Sequence, residues 1–155
     1  MKRLIFVTVF LMAVLLIAAQ CGGAQPAEAK IAIAEPYARA GIPNGAVFMT
    51  LKNEGGAEDV LVSAATEVAE TVELHESKMD ENGVMKMSPV PNIPVPANGS
   101  TTLKPGGLHV MLIGMQQELA VGDTFSLTLN FEKTGAQTIE VEVRDSMMSG
   151  MDQAE

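Results

Sequence analysis

Apolar and polar residues alternate over short runs along most of this chain, and Gly, Pro or Asn separates one run from the next. A period of two is the signature of a half-buried strand. The clearest runs are Phe125, Leu127, Leu129 and Phe131, then Ile139, Val141 and Val143 across a turn at Glu132 to Ala136. Upstream, Lys30 to Ala34 reads as a first strand stopped by Pro36. Ala46 to Leu51 reads as a second, between the turns Gly41 to Gly45 and Asn53 to Gly56. Further strands are expected at 59–64, 71–77, 84–90, 100–103 and 108–113, with one helical turn near Met115 to Leu119. Many short strands joined by such turns predict an all-β sandwich or Greek-key barrel. Residues 30–144 form one domain without an internal repeat, and 155 residues suffice for a sizeable core.

The ends of the chain break this pattern. Lys2 and Arg3 precede an apolar run from Leu4 to Ala19, and small residues follow it. That reads as a secretory signal over residues 1–24, with a tether at 25–29. Two processing routes fit. Ordinary cleavage after Ala24 gives a soluble protein, whereas Ala18-Ala19-Gln20-Cys21 resembles a lipobox with Gln before the Cys, which would anchor the chain to the membrane through Cys21. From Asp145 to Glu155 the chain turns polar and aperiodic, and a mobile tail is expected there. The net charge of −9 becomes more negative once Lys2 and Arg3 are removed. An anionic surface repels phosphates and argues against nucleic acid as a partner.

Chemistry enters with the two histidines. In Leu108-His109-Val110-Met111-Leu112 the apolar residues alternate with His109 and Met111, which therefore share a strand face about 6.6 Å apart. His75 lies in another alternating segment, Thr71-Val72-Glu73-Leu74-His75, and Met85 and Met87 form a second same-face pair after it. Imidazole with thioether is a soft donor set that selects Cu(I) over Mg, Ca or Mn. Cys21 is the only cysteine and lies outside the domain, so an internal disulfide, a blue-copper centre and a thiolate-bridged copper centre are all excluded.

The spacings carry a resemblance. Eleven residues separate His75 from Met87, twenty-one separate Met87 from His109, and one separates His109 from Met111. This is similar to the His-x10-Met-x21-His-x-Met signature of the PCuAC periplasmic copper chaperones. Leu74-His75-Glu76, Gly83 to Met87, Ile93 to Pro96, Leu103 to His109 and Pro36 to Arg39 also resemble that family. The extra residue falls in Asp80-Glu81-Asn82-Gly83, where a hairpin tolerates a change of length. Glu76 stands where the family often has Met. The resemblance implies a cupredoxin-like β-barrel and one Cu(I) held by His75, Met87, His109 and Met111. It also implies delivery to another extracytoplasmic protein, such as a cytochrome c oxidase subunit or a Sco-type thiol protein. A monomer is expected.

Blander readings stand beside these. Methionine is a common gap-filler, and Met85 alone suits core or rim packing better than ligation. Met147, Met148 and Met151 are either extra copper-capturing thioethers or incidental residues of a solvated tail. The stretch Pro89 to Pro96 is either a stiff extended edge beside the site or a crossover loop. No carboxylate pair, nucleophile elbow or phosphate loop supports an enzyme. A copper-buffering protein and a metal-free β-sandwich interaction module are the competing functional classes. The signal reading predicts that residues 1 to about 20 are absent after export. Intact mass checks it: a diacylglycerol-modified Cys21 establishes the lipoprotein route and a start at Gln25 the soluble one, whereas retention of Leu4 to Ala19 refutes both.

Overall fold

The computed structural model describes residues 27–145. The signal segment 1–24 with Cys21, and Met147, Met148 and Met151 of the tail, lie outside the described residues. Ten strands run in the order β1 Ile31–Arg39, β2 Asn44–Asn53, β3 Asp59–Ala65, β4 Ala69–Met79, β5 Met85–Pro89, β6 Ile93–Val95, β7 Ser100–Leu103, β8 Leu108–Met115, β9 Thr124–Phe131 and β10 Gly135–Val143. They form one mixed sheet with the path β5-β4-β8-β2-β1-β10-β9-β3-β6, and β7 pairs with β2. Only β1 and β10 run parallel among these pairs. The expected all-β architecture holds.

One face of most strands builds the core, and β5 alone among the ten is exposed along its whole length. Val47, Leu51, Leu61, Leu74, Val110, Leu112, Leu127, Leu129 and Val141 are buried together, drawn from β2, β3, β4, β8, β9 and β10. Burying each such aliphatic side chain stabilises the fold by roughly 1.5–3 kcal/mol. Leu74 pairs with Val110, and Val110 with Val47, so three strands are locked in register by side chains on the core face. A slip of one residue would turn all three outward.

Three expectations are corrected. β1 does not stop at Pro36 but continues to Arg39, because a register shift between Ala34 and Tyr37, with Glu35 at φ 53°, takes the proline out of the ladder. Met115 to Leu119 contains no helical turn. There the Met115 amide donates to the Pro43 carbonyl and the Gln116 amide to the Val68 carbonyl, so neighbouring segments take the hydrogen bonds that a helix would need. The Pro89 to Pro96 stretch divides. Pro89 pairs with His75, but Ile93–Val95 form β6 against β3, at the other end of the strand path from β5.

Two buried polar side chains close the loops around the core. The Asn53 carbonyl oxygen accepts from the Lys30 and Gly55 amides, and its NH2 donates to the carbonyls of Ala57 and Val95. Asp59, fully buried, accepts from the amides of Val60, Lys133 and Thr134 and from the Thr134 hydroxyl. Burial alone would push its carboxyl up, but these four donors outweigh it and hold the pKa below the ordinary value. A depressed carboxylate stabilises the fold above its unfolded pKa of about 3.9, and that stabilisation is lost as pH falls through the folded value. Asp59→Ala strands four donors and should cost on the order of 3 kcal/mol in denaturant unfolding. Asp59→Asn should also flatten the loss of thermal stability of the wild type below about pH 4.

Candidate metal centre

The face of β4 and β8 opposite the core carries the histidines. Because Leu74 and Val110 face inward, their neighbours His75 and His109 point to the other side, and they are paired directly across the ladder. Their ring centroids lie 5.9 Å apart. Met111 is opposite Glu73, one same-face step along β8 from His109. Met87 is opposite Ser77 on β5, diagonal to His75. All four sequence-derived ligands therefore share one face, with the imidazoles in the middle and one thioether at each end. With strands about 4.8 Å apart and same-face residues about 6.6 Å apart, each methionine must extend its side chain toward the imidazole pair to share one ion with it.

The donor atoms are prepared by their hydrogen bonds. His75 Nε2 lies 2.7 Å from Glu73 Oε2, and His109 Nδ1 lies 2.9 Å from the Gly107 carbonyl oxygen. Both oxygens only accept, so each of these nitrogens carries the proton that it donates. In the neutral rings the lone pairs are left at His75 Nδ1 and His109 Nε2. Both of those atoms are buried and have no hydrogen-bond partner. Two orphaned acceptors on adjacent imidazoles would each forfeit their hydration without return, unless an ion occupies the space they address. Outer-shell bonds of this kind, one to a carboxylate and one to a backbone carbonyl, are how metal-binding histidines are oriented.

The surroundings are graded from closed to open. His109 is 3% exposed and lies tilted against Phe48 at 6.2 Å between ring centroids. Phe48 in turn meets Tyr37 at 5.2 Å, with the Arg39 guanidinium over the Phe48 ring and that of Arg144 over Tyr37. This row walls the β2 and β1 side. On the β5 side Met87 is 53% exposed. The hairpin that carries it is clamped by Asp80, whose carboxylate accepts from the Asn82 and Val84 amides and pairs with Lys86. The Val84 amide, then Lys86 and the Asn82 amide, hold that carboxyl below its ordinary value. Met87 lies diagonal to His75, one same-face step nearer to it than Met85.

Sequence reasoning missed Glu73, the Gly107 carbonyl and the aromatic wall. Glu73 was findable, since it is two residues from His75 and so on the same face. The aromatic wall was not, because Phe48 reaches His109 only through the pairing of β2 with β8. Among the described residues no group of three or more His, Cys, Asp or Glu could hold a metal ion, so a centre here depends on its thioethers.

The fold is that of a PCuAC-like β-domain. A copper-bound PCuAC domain from PmoF2 superposes with a TM-score of 0.63 at 27% identity, over 74% of this chain and 92% of that one. The solution structure of CuI-DR1885 from Deinococcus radiodurans gives 0.54 at 34% identity, over 84% and 87%. The family model described as "Putative lipoprotein LpqE-like" matches residues 31–143, and the chain belongs to this LpqE-like family. A curated relative, "Putative lipoprotein Lxx21020" of Leifsonia xyli subsp. xyli (strain CTCB07), is 33% identical over 101 residues. The match covers 64% of this chain and 60% of that relative's length.

The hydrogen bond from His75 to Glu73 generates a prediction independent of the ligands themselves. Glu73→Gln keeps the size of the side chain but frees the tautomer of His75, and should weaken binding of a soft monovalent ion by about 10- to 100-fold. Competitive titration against a chromophoric chelator measures it, with circular dichroism as the control for folding.

Proposed function

We propose that this protein is an exported copper chaperone that binds one Cu(I) through His75, Met87, His109 and Met111 and passes it to another extracytoplasmic protein. The unpartnered, buried His75 Nδ1 and His109 Nε2 on rings 5.9 Å apart carry this reading. The copper-bound state of the similar PmoF2 domain and the Cu(I) state of DR1885 support it. Cu(I) is cargo here. The thioethers are neutral and need no deprotonation, so only the imidazoles make binding pH-dependent. Two of the donors sit in a walled pair and one stands exposed, so an incoming ligand can displace Met87 first while the histidines still hold the ion. Transfer then proceeds by ligand exchange with no bare-ion intermediate.

The lipoprotein description of the family supports export and a membrane anchor through Cys21. The recipient in this proposal is a copper centre of a cytochrome c oxidase subunit, reached directly or through a Sco-type thiol protein.

Anaerobic titration should give one tight Cu(I) equivalent, retained when residues 146–155 are deleted. Replacing His75, Met87, His109 or Met111 singly by Ala should each weaken that equivalent with the β-fold intact. X-ray absorption should show mixed nitrogen and sulfur ligation, one sulfur fewer in Met87→Ala and the full complement in Met85→Ala. Nitrogen and oxygen ligation without sulfur would sink the proposal.

A further inference from the structure

Beyond the His-Met centre, the β4–β5 hairpin carries methionines that the centre does not use. Met79 and Met85 are paired directly across the two strands, and Met87 lies one same-face step from Met85. All three stand on the face that bears His75, since 75, 77 and 79 share parity on β4 and pair with 89, 87 and 85. Met79 is 68% exposed, Met85 50% and Met87 53%. Met85 extends toward the β7–β8 turn, where a Cβ added to Gly106 would lie 4.0 Å from its methyl carbon. The ammonium groups of the hairpin are elsewhere. Lys78 and Lys86 pair with each other in register on the opposite face, where they bridge to Glu76 and Asp80. A row of exposed thioethers begins at the hairpin tip and ends at the histidines.

Exposed methionines contribute no core packing, and the hairpin would fold as well with polar residues at 79 and 85, because its turn is held by Asp80 and Gly83. What three neutral sulfur donors within one or two strand spacings do offer is a position for a soft monovalent ion. We propose that Met79, Met85 and Met87 form a second, shallower Cu(I) position at the mouth of the His-Met centre, through which the ion enters. This rests on the reading of His75 and His109 as ligands. The transfer is a ligand exchange: the bonds from the ion to the Met79 and Met85 sulfurs break as those to His75 Nδ1, His109 Nε2 and Met111 sulfur form, and Met87 stays bound throughout. No electron moves, and no proton is released because Nδ1 already presents its lone pair. Met87 is thus the shared ligand that joins the two positions.

The test uses the full chain labelled with 13C at the methionine methyls, titrated anaerobically with Cu(I) and, as a redox-inert probe, Ag(I). The first equivalent should shift the ring resonances of His75 and His109 and the methyls of Met87 and Met111, and the second should shift Met79 and Met85. Met79→Leu with Met85→Leu keeps the apolar bulk at two exposed positions, so the fold should be unchanged by circular dichroism. This double variant should keep the first equivalent, lose the second, and accept Cu(I) from a small chelator several-fold more slowly. If Met79 and Met85 stay silent while the histidines and Met87 shift, or if the second ion moves only the tail methyls, the entry position is overturned and the His-Met centre stands. Loss of the first equivalent in Met85→Leu alone would place Met85 in the principal centre and also overturn it. Histidine resonances that never respond would overturn both readings together.

Discussion

The pairing of β4 with β8 is the constraint on which the rest depends. Leu74 against Val110 is a core contact, and the alternation of a strand then places His75 against His109 on the other face. No separate device aligns the two imidazoles. The hydrophobic core does so, because sliding either strand by one residue would expose Leu74 or Val110 and bury an imidazole among aliphatic side chains. The burial of Val47 beside Val110 extends the same lock to β2 and brings Phe48 alongside His109. Core stability and site geometry therefore have one cause.

On that frame the two histidines have unequal roles. His109 is enclosed by Phe48, its Nδ1 tied to the backbone at Gly107, and it is the more enclosed member. His75 is oriented by the side chain of Glu73, which is itself partly solvated, and its strand partner on the other side is Pro89 at the sheet edge. The thioethers differ in the same way, with Met111 between Glu73 of β4 and Ala46 of β2, and Met87 on the outermost strand. Enclosure falls steadily from β2 to β5. For the proposed function, a face graded like this suits an ion that must be held and then surrendered, with exchange starting at the exposed donor while the enclosed one keeps its grip.

The aromatic row has a consequence for the acidic surface. Arg39 and Arg144 lie over Phe48 and Tyr37, and Arg144 also bonds Glu142. Their charges are spread over rings and a carboxylate beside the site. A cation approaching the histidines meets aromatic faces on one side and neutral sulfur on the other, within a protein whose net charge is −9. For the proposed cargo, long-range attraction and short-range softness would act together.

Much of this was legible in the chain itself. Period-two alternation marked β9 to within one residue and the C-terminal half of β10, whose first residues, Gly135 and Ala136, fall in the expected turn. It also put His109 with Met111, and Met85 with Met87, on common faces, because side-chain parity is a local property of an extended backbone. The His and Met types determined a preference for a soft ion, since donor chemistry needs no fold to be known. Tertiary structure alone decided which strands became neighbours, and hence that His75 faces His109, that Glu73 and Gly107 select the nitrogens left free, and that Phe48 forms the wall. It also carried β1 past Pro36 through a bulge, made a strand of Ile93–Val95 and denied a helical turn to Met115–Leu119. In each of these cases the outcome rests on a hydrogen bond or a buried contact with a segment distant in the chain, and such partners are chosen by the joint burial of the core, which no local pattern encodes.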